Sequence, residues 1–362
     1  HFRFDLGAFA TFDCIDYQIS TGCETSRRFS FQVEEEATVD RPLAVLRTAR
    51  GVCLEMEGFV LLLEQQGSAL VQTACQAPAP AGQDAVLPLP DHFALHVGGT
   101  DSLWELKRFS DCVCAVHGFT VRKTSDGRIT RITQHGTLHT QYVWGTGERF
   151  DHVNQQGHGS NGRVVEKFTR QGDQTYLPMP FFMTEQHLGW WCEGSISTEM
   201  DFHNGFTLCR ATSGETLSQD MLFFGDSKAL LAQFLGRTGQ PVLPPEWAFG
   251  VWISANGWNS DAEVDQQLQA LREYDYPADV MVLEAWSDEM TFYRWNDAQH
   301  WQDPAQTVKR IREHGLHLIL WQIPIVKYEW DGEPNEWLQR DIEEAIQNKY
   351  CVCLADGTPY RI

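Results

Sequence analysis

Near residue 226 the rhythm of the chain changes, and that change limits the fold more than any other feature. Before it, short runs of alternating apolar and polar residues recur, among them "RPLAVLRTA", "GVCLEMEGFVLLLEQ", "ALVQTAC", "HFALHVGG" and "GFTLCRA". Period-two runs of this length read as half-buried strands. "TVRKTSDGRITRIT", with Ser125, Asp126 and Gly127 at its centre, reads as a β-hairpin. The Pro-rich "APAPAG" at 77–82 reads as a surface loop. Many short strands with no helical repeat predict an antiparallel β-sandwich of more than a dozen strands.

From 226 onward the spacing becomes helical. "DSKALLAQFLGRTG" places Leu230, Leu231, Phe234 and Leu235 on one face and ends at Gly236 or Gly239. A Pro-rich joint follows, "QPVLPPEW". We therefore expect a sandwich domain over 1–235, a joint over 236–246 and a second domain over 247–362. The second domain has a β-α-β rhythm. "WAFGVWISA" is a strand, and Ser260 with Glu263 forms a capping box for a helix through Val264, Leu268 and Leu271. "DVMVLEAW" is the next strand. Asp303 and Pro304 start a helix through Val308 and Ile311 that His314-Gly315 stops. "LHLILWQIPIV" is a third strand, and a third helix runs through Trp337, Leu338, Ile342 and Ile346. Such continuously apolar strands are parallel and covered on both sides. An open doubly wound sheet and a (β/α)8 barrel both fit, although a whole barrel takes about 250 residues.

Composition removes several classes of function. The chain has 362 residues, with 28 Lys+Arg against 49 Asp+Glu, a formal charge of −21. So acidic a protein is a poor partner for nucleic acid or an anionic membrane surface. No apolar run approaches the ~18 residues of a membrane span. The ten cysteines are scattered through strand-like runs. They read as reduced, buried thiols, which predicts a cytoplasmic protein. The two C-x-C pairs, Cys112/Cys114 and Cys351/Cys353, lack the companions of a zinc set. The 13 tryptophans suit sugar stacking as well as core filling. "GTG" at 145–147 lies in no βαβ unit, so it reads as a tight turn placing Arg149 and Phe150, not a nucleotide loop.

Several longer motifs follow one another in a fixed order: "WGTGERFDHVNQQG" (144–157), "YLPMPFFMTEQHLGWW" (176–191), "TGQPVLPPEWAFGVWISANGWNS" (238–260), "PADVMVLEAW" and "HLILWQIP". Together they resemble glycoside hydrolase family 31, over roughly residues 140–360. The first 140 residues fit only loosely, as the family's N-terminal sandwich. The resemblance implies an antiparallel β-sandwich followed by α/β, the first three β/α units of a (β/α)8 TIM barrel. It implies a retaining α-glycosidase acting on α-linked glucosides or xylosides. Two carboxylates ~5–5.5 Å apart would flank the scissile bond. It also implies that the nucleophile stands at the end of barrel strand four and the acid/base later still. Neither carboxylate would then be among these residues. No metal or organic cofactor is implied, because attack and protonation need only carboxylates. Family members often assemble, so a homo-oligomer is compatible.

The candidate site follows from the resemblance and from strand alternation. Glu284 ends the second barrel strand, where side chains enter the active-site mouth. The family usually has an Asp there, which accepts hydrogen bonds from hydroxyls of the non-reducing sugar; Glu284 is one methylene longer. Alternation sends Trp286 to the same face, as a wall of the sugar subsite. Asp288 and Glu289 open the following loop. Trp252, Asn256 and Trp258, with Trp321 and Gln322 on the third strand, are further candidates for the mouth. A loop within 158–175 would shape the leaving-group subsite, with Arg170 and Asp173 as its polar candidates. Glu284 and Asp288 are poor candidates for a complete catalytic pair, since retaining pairs face each other from different strands.

Two other readings stand beside this one. The chain could be a non-catalytic carbohydrate-binding half needing a partner chain, because three barrel strands alone leave an open edge. It could also be a family member of another specificity, for a sulfoquinovoside or an N-acetylgalactosaminide, or a transglycosidase. A doubly wound nucleotide-binding enzyme is disfavoured, since "ISANGWNS" after the first strand holds no Gly-rich phosphate loop.

Overall fold

The structure, a computed structural model, describes residues 14–19, 27–32, 34–76, 86–98, 101–165, 170–194, 197–212, 214–255, 257–287, 295, 300–322, 336–354 and 356–360. The chain forms two compact units, His1–Pro241 and Val242–Ile362.

In the first unit an eight-stranded and a nine-stranded antiparallel sheet form a sandwich. The predicted hairpin is present: Asp111–Thr124 pairs with Ile129–Leu138, turning at Gly127 with φ 83°. Alternation explains the core. Phe182, Trp190 and Leu222 of the eight-stranded sheet join Trp104, Val116 and Phe206 of the other in one buried cluster. The residues between them, Phe181, Met221 and Phe223, point the opposite way. There the helix Ser227–Thr238 covers them with Leu230 and Phe234, and Phe181 stacks on Phe234 at 4.3 Å. Asp226 caps that helix by accepting from Ala229 N at 2.8 Å, and Gly239 ends it.

One polar cluster crosses the sandwich interior. Gln72 Nε2 donates to Gln134 Oε1 at 2.6 Å and to Asp220 Oδ2 at 3.0 Å. Arg210 Nη1 lies 2.8 Å from Asp220 Oδ1. Gln72 and Asp220 belong to the eight-stranded sheet, Gln134 and Arg210 to the other. Burial opposes the Arg210 charge, but the adjacent Asp220 carboxylate outweighs it, so the guanidinium is held above its ordinary pKa. Burial likewise pushes up the thiol of Cys192 and raises that of Cys53 to about 11. These buried thiols resist ionisation and behave as small apolar side chains. The eight cysteines with described side chains are all free.

In the second unit, Trp252–Ala255, Val280–Leu283 and His317–Leu320 form a three-stranded parallel sheet with Val280–Leu283 in the middle. Helices Asp261–Tyr274 and Pro304–Glu313 follow the first and second strands, and Glu336–Gln347 comes after the third. Ser260 accepts from Glu263 N at 3.2 Å, and Asp303 from Gln306 N at 3.0 Å. Only one arm of the expected capping box is seen, because Glu263 Oε1 accepts from Gln267 instead. On the last helix Ile346 is exposed and Ala345 is buried. Among the described residues no helix is long and apolar enough to cross a membrane.

Candidate functional site

The parallel strands run in register. Trp252, Val280 and His317 lie side by side, then Ser254, Val282 and Ile319. Alternation gives the sheet two faces. Ile253, Met281, Leu283, Leu318 and Leu320 pack with Val264, Leu268 and Ile311 from the helices. The other face therefore carries Trp252, Ser254, Val282, His317 and Ile319. Beyond the strand ends the same alternation brings Glu284 and Trp321 level with each other. Trp321 N extends the ladder by donating to Leu283 O at 3.0 Å. Ser254 Oγ donates to Glu284 Oε1 across to the first strand. Among the described residues Glu284 is the only carboxylate on this face.

Trp286 corrects the expectation placed on it. It is 3% exposed and joins the helix-side cluster, its ring 5.1 Å from Trp295. Its indole N–H donates to Trp321 O at 2.9 Å. Period-two alternation holds only while the backbone is extended. The strand ends at Leu283 and residues 284–287 bend, so the indole turns under the sheet end instead of beside Glu284. Trp258 also packs against the helix-side cluster and not at the mouth. Trp252 is on the Glu284 face but begins its strand. It sits four residues before the level of Glu284, about 13 Å along the sheet. Its indole N–H donates to Ala248 O at 3.2 Å. Trp252 is thus a residue of the N-terminal end, whereas a barrel's active-site mouth is the C-terminal end. Trp321 and Gln322 are exposed at that C-terminal end. Asp288, Glu289 and Asn256 lie outside the described residues.

In the first unit "GTG" is not a tight turn. It closes the strand Val143–Gly147 as a bulge, with the register shifting between Gly145 and Gly147. Gly145, Thr146 and Gly147 all have positive φ, 118°, 67° and 97°. A Cβ on Gly147 would lie 2.2 Å from Leu177 O, so no larger residue fits. The bulge aims Arg149 at main-chain carbonyls. Nη2 donates to Thr146 O at 2.6 Å, and Nη1 to Asn161 O at 3.2 Å and Asp173 O at 2.8 Å. Burial lowers its pKa below the ordinary arginine value. Asp173 is therefore held through its backbone, and its side chain is exposed. Arg170 is also exposed, at φ 55°. Arg149 thus braces the loop that presents both candidates.

Two features were missed in the sequence. Ser254 was overlooked because serine in a strand carries no signal, although its alternation with Trp252 marks its face. The role of Arg149 as a brace was not visible because its partners are carbonyls 12 and 24 residues away.

Residues 241–361 match the model of the glycosyl hydrolases family 31 TIM-barrel domain. An isomaltosyltransferase of Sporosarcina globispora is 29% identical over 253 residues, which is 62% of this chain and 23% of that protein. A 1,3-alpha-isomaltosidase of Kribbella flavida is 29% identical over 245 residues, 60% of this chain and 34% of that protein. The chain therefore spans about a quarter to a third of the length of these relatives. The cycloalternan-forming enzyme from Listeria monocytogenes, solved with a pentasaccharide substrate, shares the fold. It aligns with a TM-score of 0.76 over 95% of this chain and 38% of its own, at 22% identity. Over its parallel-sheet unit, residues 241–361, this chain is thus similar to the TIM-barrel domain of glycosyl hydrolases family 31.

Proposed function

We propose that this chain is part of a retaining α-glycosidase of family 31, acting on α-linked glucosides or xylosides, and that Glu284 binds the non-reducing sugar. The position of Glu284 supports this most strongly. It stands at the C-terminal end of the middle parallel strand, level with the exposed Trp321, inside the span that matches the family's barrel domain. An ionised carboxylate accepts from two adjacent hydroxyls at once, and an indole offers a flat apolar wall to a sugar ring. Attack and protonation then belong to two further carboxylates facing each other across the sugar. Glu284, the only described carboxylate on its face, orients the ring and leaves the chemistry to them. Arg170, Asp173 and Asp288 are proposed as further substrate-binding residues.

Isomaltosyl substrates are the first to try, because an isomaltosyltransferase and an isomaltosidase are among the most similar relatives. The carbohydrate is the proposed partner; a net charge of −21 disfavours nucleic acid. The eight described thiols are all free, three of them buried, which favours the cytoplasm; cell fractionation checks this.

The test uses the whole natural protein. It should release the aryl group from an α-glucoside or α-xyloside and leave the β-anomers untouched. Product analysis with isomaltose separates hydrolysis from sugar transfer. Glu284→Ala should lower kcat/KM by about 1.5–3 kcal/mol, the worth of hydrogen bonds to a charged group. Sugar binding without turnover of any α-glycoside would favour the binding-protein reading. Unchanged kcat/KM in the variant would remove Glu284 from the site.

A further inference from the structure

We infer that Ser254 is a positioning residue that sets the reach and orientation of Glu284, and through it the choice of sugar. The inference rests on the function proposed above. Ser254 lies in the row of Val282 and Ile319, one row short of Glu284. Its partner is therefore diagonal, on the neighbouring strand and two residues further along. Diagonal pairs in a sheet are reached only by long side chains. Glutamate reaches; an aspartate would draw the carboxylate back by roughly one C–C bond, ~1.5 Å, out of ordinary hydrogen-bond range.

The surroundings make the contact specific. On this face the described neighbours of Ser254 are Trp252, Val282 and Ile319, none of which offers a hydroxyl. His317 stands at the other end of the sheet, stacked on Trp247 at 4.0 Å. The Ser254 hydroxyl is thus the hydroxyl donor that the described residues of this face supply to the carboxylate. It engages Oε1 alone. A carboxylate has about four acceptor sites, so about three are left for sugar hydroxyls. With one oxygen tethered, the carboxylate's rotation is restrained before the sugar arrives. The extra methylene of Glu284 is then a matched pair with Ser254, and a hydroxyl pair is accepted in one orientation only.

The test is a double-mutant cycle in the whole natural protein, assayed on the best α-glycoside substrate. Ser254→Ala should lower kcat/KM about tenfold, and Ser254→Thr, which keeps the hydroxyl, should stay within about threefold of wild type. In a Glu284→Asp background Ser254→Ala should add no further loss, because the contact is already gone. The ratio of kcat/KM for an α-glucoside over an α-xyloside should shift in Ser254→Ala, which a purely structural role would not produce. Should Ser254→Ala fail to fold, Ser254→Cys, of similar size with a weak donor, takes its place. Wild-type kcat/KM in Ser254→Ala beside a crippled Glu284→Ala would overturn this inference and leave the function standing. Equal losses from Ser254→Ala in both backgrounds would overturn it too. Unchanged kcat/KM in Glu284→Ala would remove Glu284 from the site, and this inference with it.

Discussion

At position 284 one methylene decides which neighbour the carboxylate meets. Glutamate crosses to Ser254 on the first strand, and that contact orients the proposed sugar-binding oxygen. Two residues later, Trp286 shows the opposite lesson, for a single bend after Leu283 puts an indole into the core instead of the mouth. Glu185 is another residue whose partners define it. Its Oε1 accepts from Gln141 N at 2.7 Å and its Oε2 from Tyr142 N at 3.1 Å, with the Thr140 hydroxyl donating as well. Partial burial alone would raise its pKa, but these donors outweigh it, so the value falls below 4.5. A depressed carboxylate pKa stabilises the fold above its unfolded value and loses that contribution as pH falls through the folded one. Glu185→Gln should therefore lower the urea midpoint at pH 7, and the gap to wild type should close as the pH drops below 4.5. A constant gap down to pH 2 would exclude this account.

At the scale of elements, local chemistry was legible. Ser260, Asp303, Gly239 and Gly315 each stand where a helix begins or ends, because capping depends on residues three or four apart. The 111–138 hairpin was legible for the same reason. Ser260→Ala should destabilise the parallel-sheet unit by about 1 kcal/mol, read as a lower denaturant midpoint with an unchanged slope. No change would mean that Asp261 or Glu263 satisfies the first turn unaided. The bulge at Gly145–Gly147 was not legible, because it goes with the close approach of Leu177, just before the strand Pro178–Thr184.

At the scale of the molecule, the sandwich depends on a charge pair that no local pattern announces. Asp220→Ala would leave Arg210 buried without its partner, and should cost about 3–5 kcal/mol, seen as a fall in Tm of the whole protein. Replacing both at once, Arg210→Met with Asp220→Leu, should cost less than the single change, since no orphan charge remains. A double variant less stable than Asp220→Ala would show that the pair adds more than its own neutralisation.

The sequence by itself determined the periods, caps and turns: strands before residue 226, β-α-β after it, and an ordered set of motifs that resembles family 31. These signals act over a few residues, so they survive without a three-dimensional frame. Only the tertiary structure decided the pairings. Ser254 met Glu284, Arg210 met Asp220 across two sheets, and Arg149 met carbonyls of a distant loop. Each depends on which strands become neighbours and in what register, and a shift of one residue would send strand side chains such as Arg210 and Asp220 to the other face.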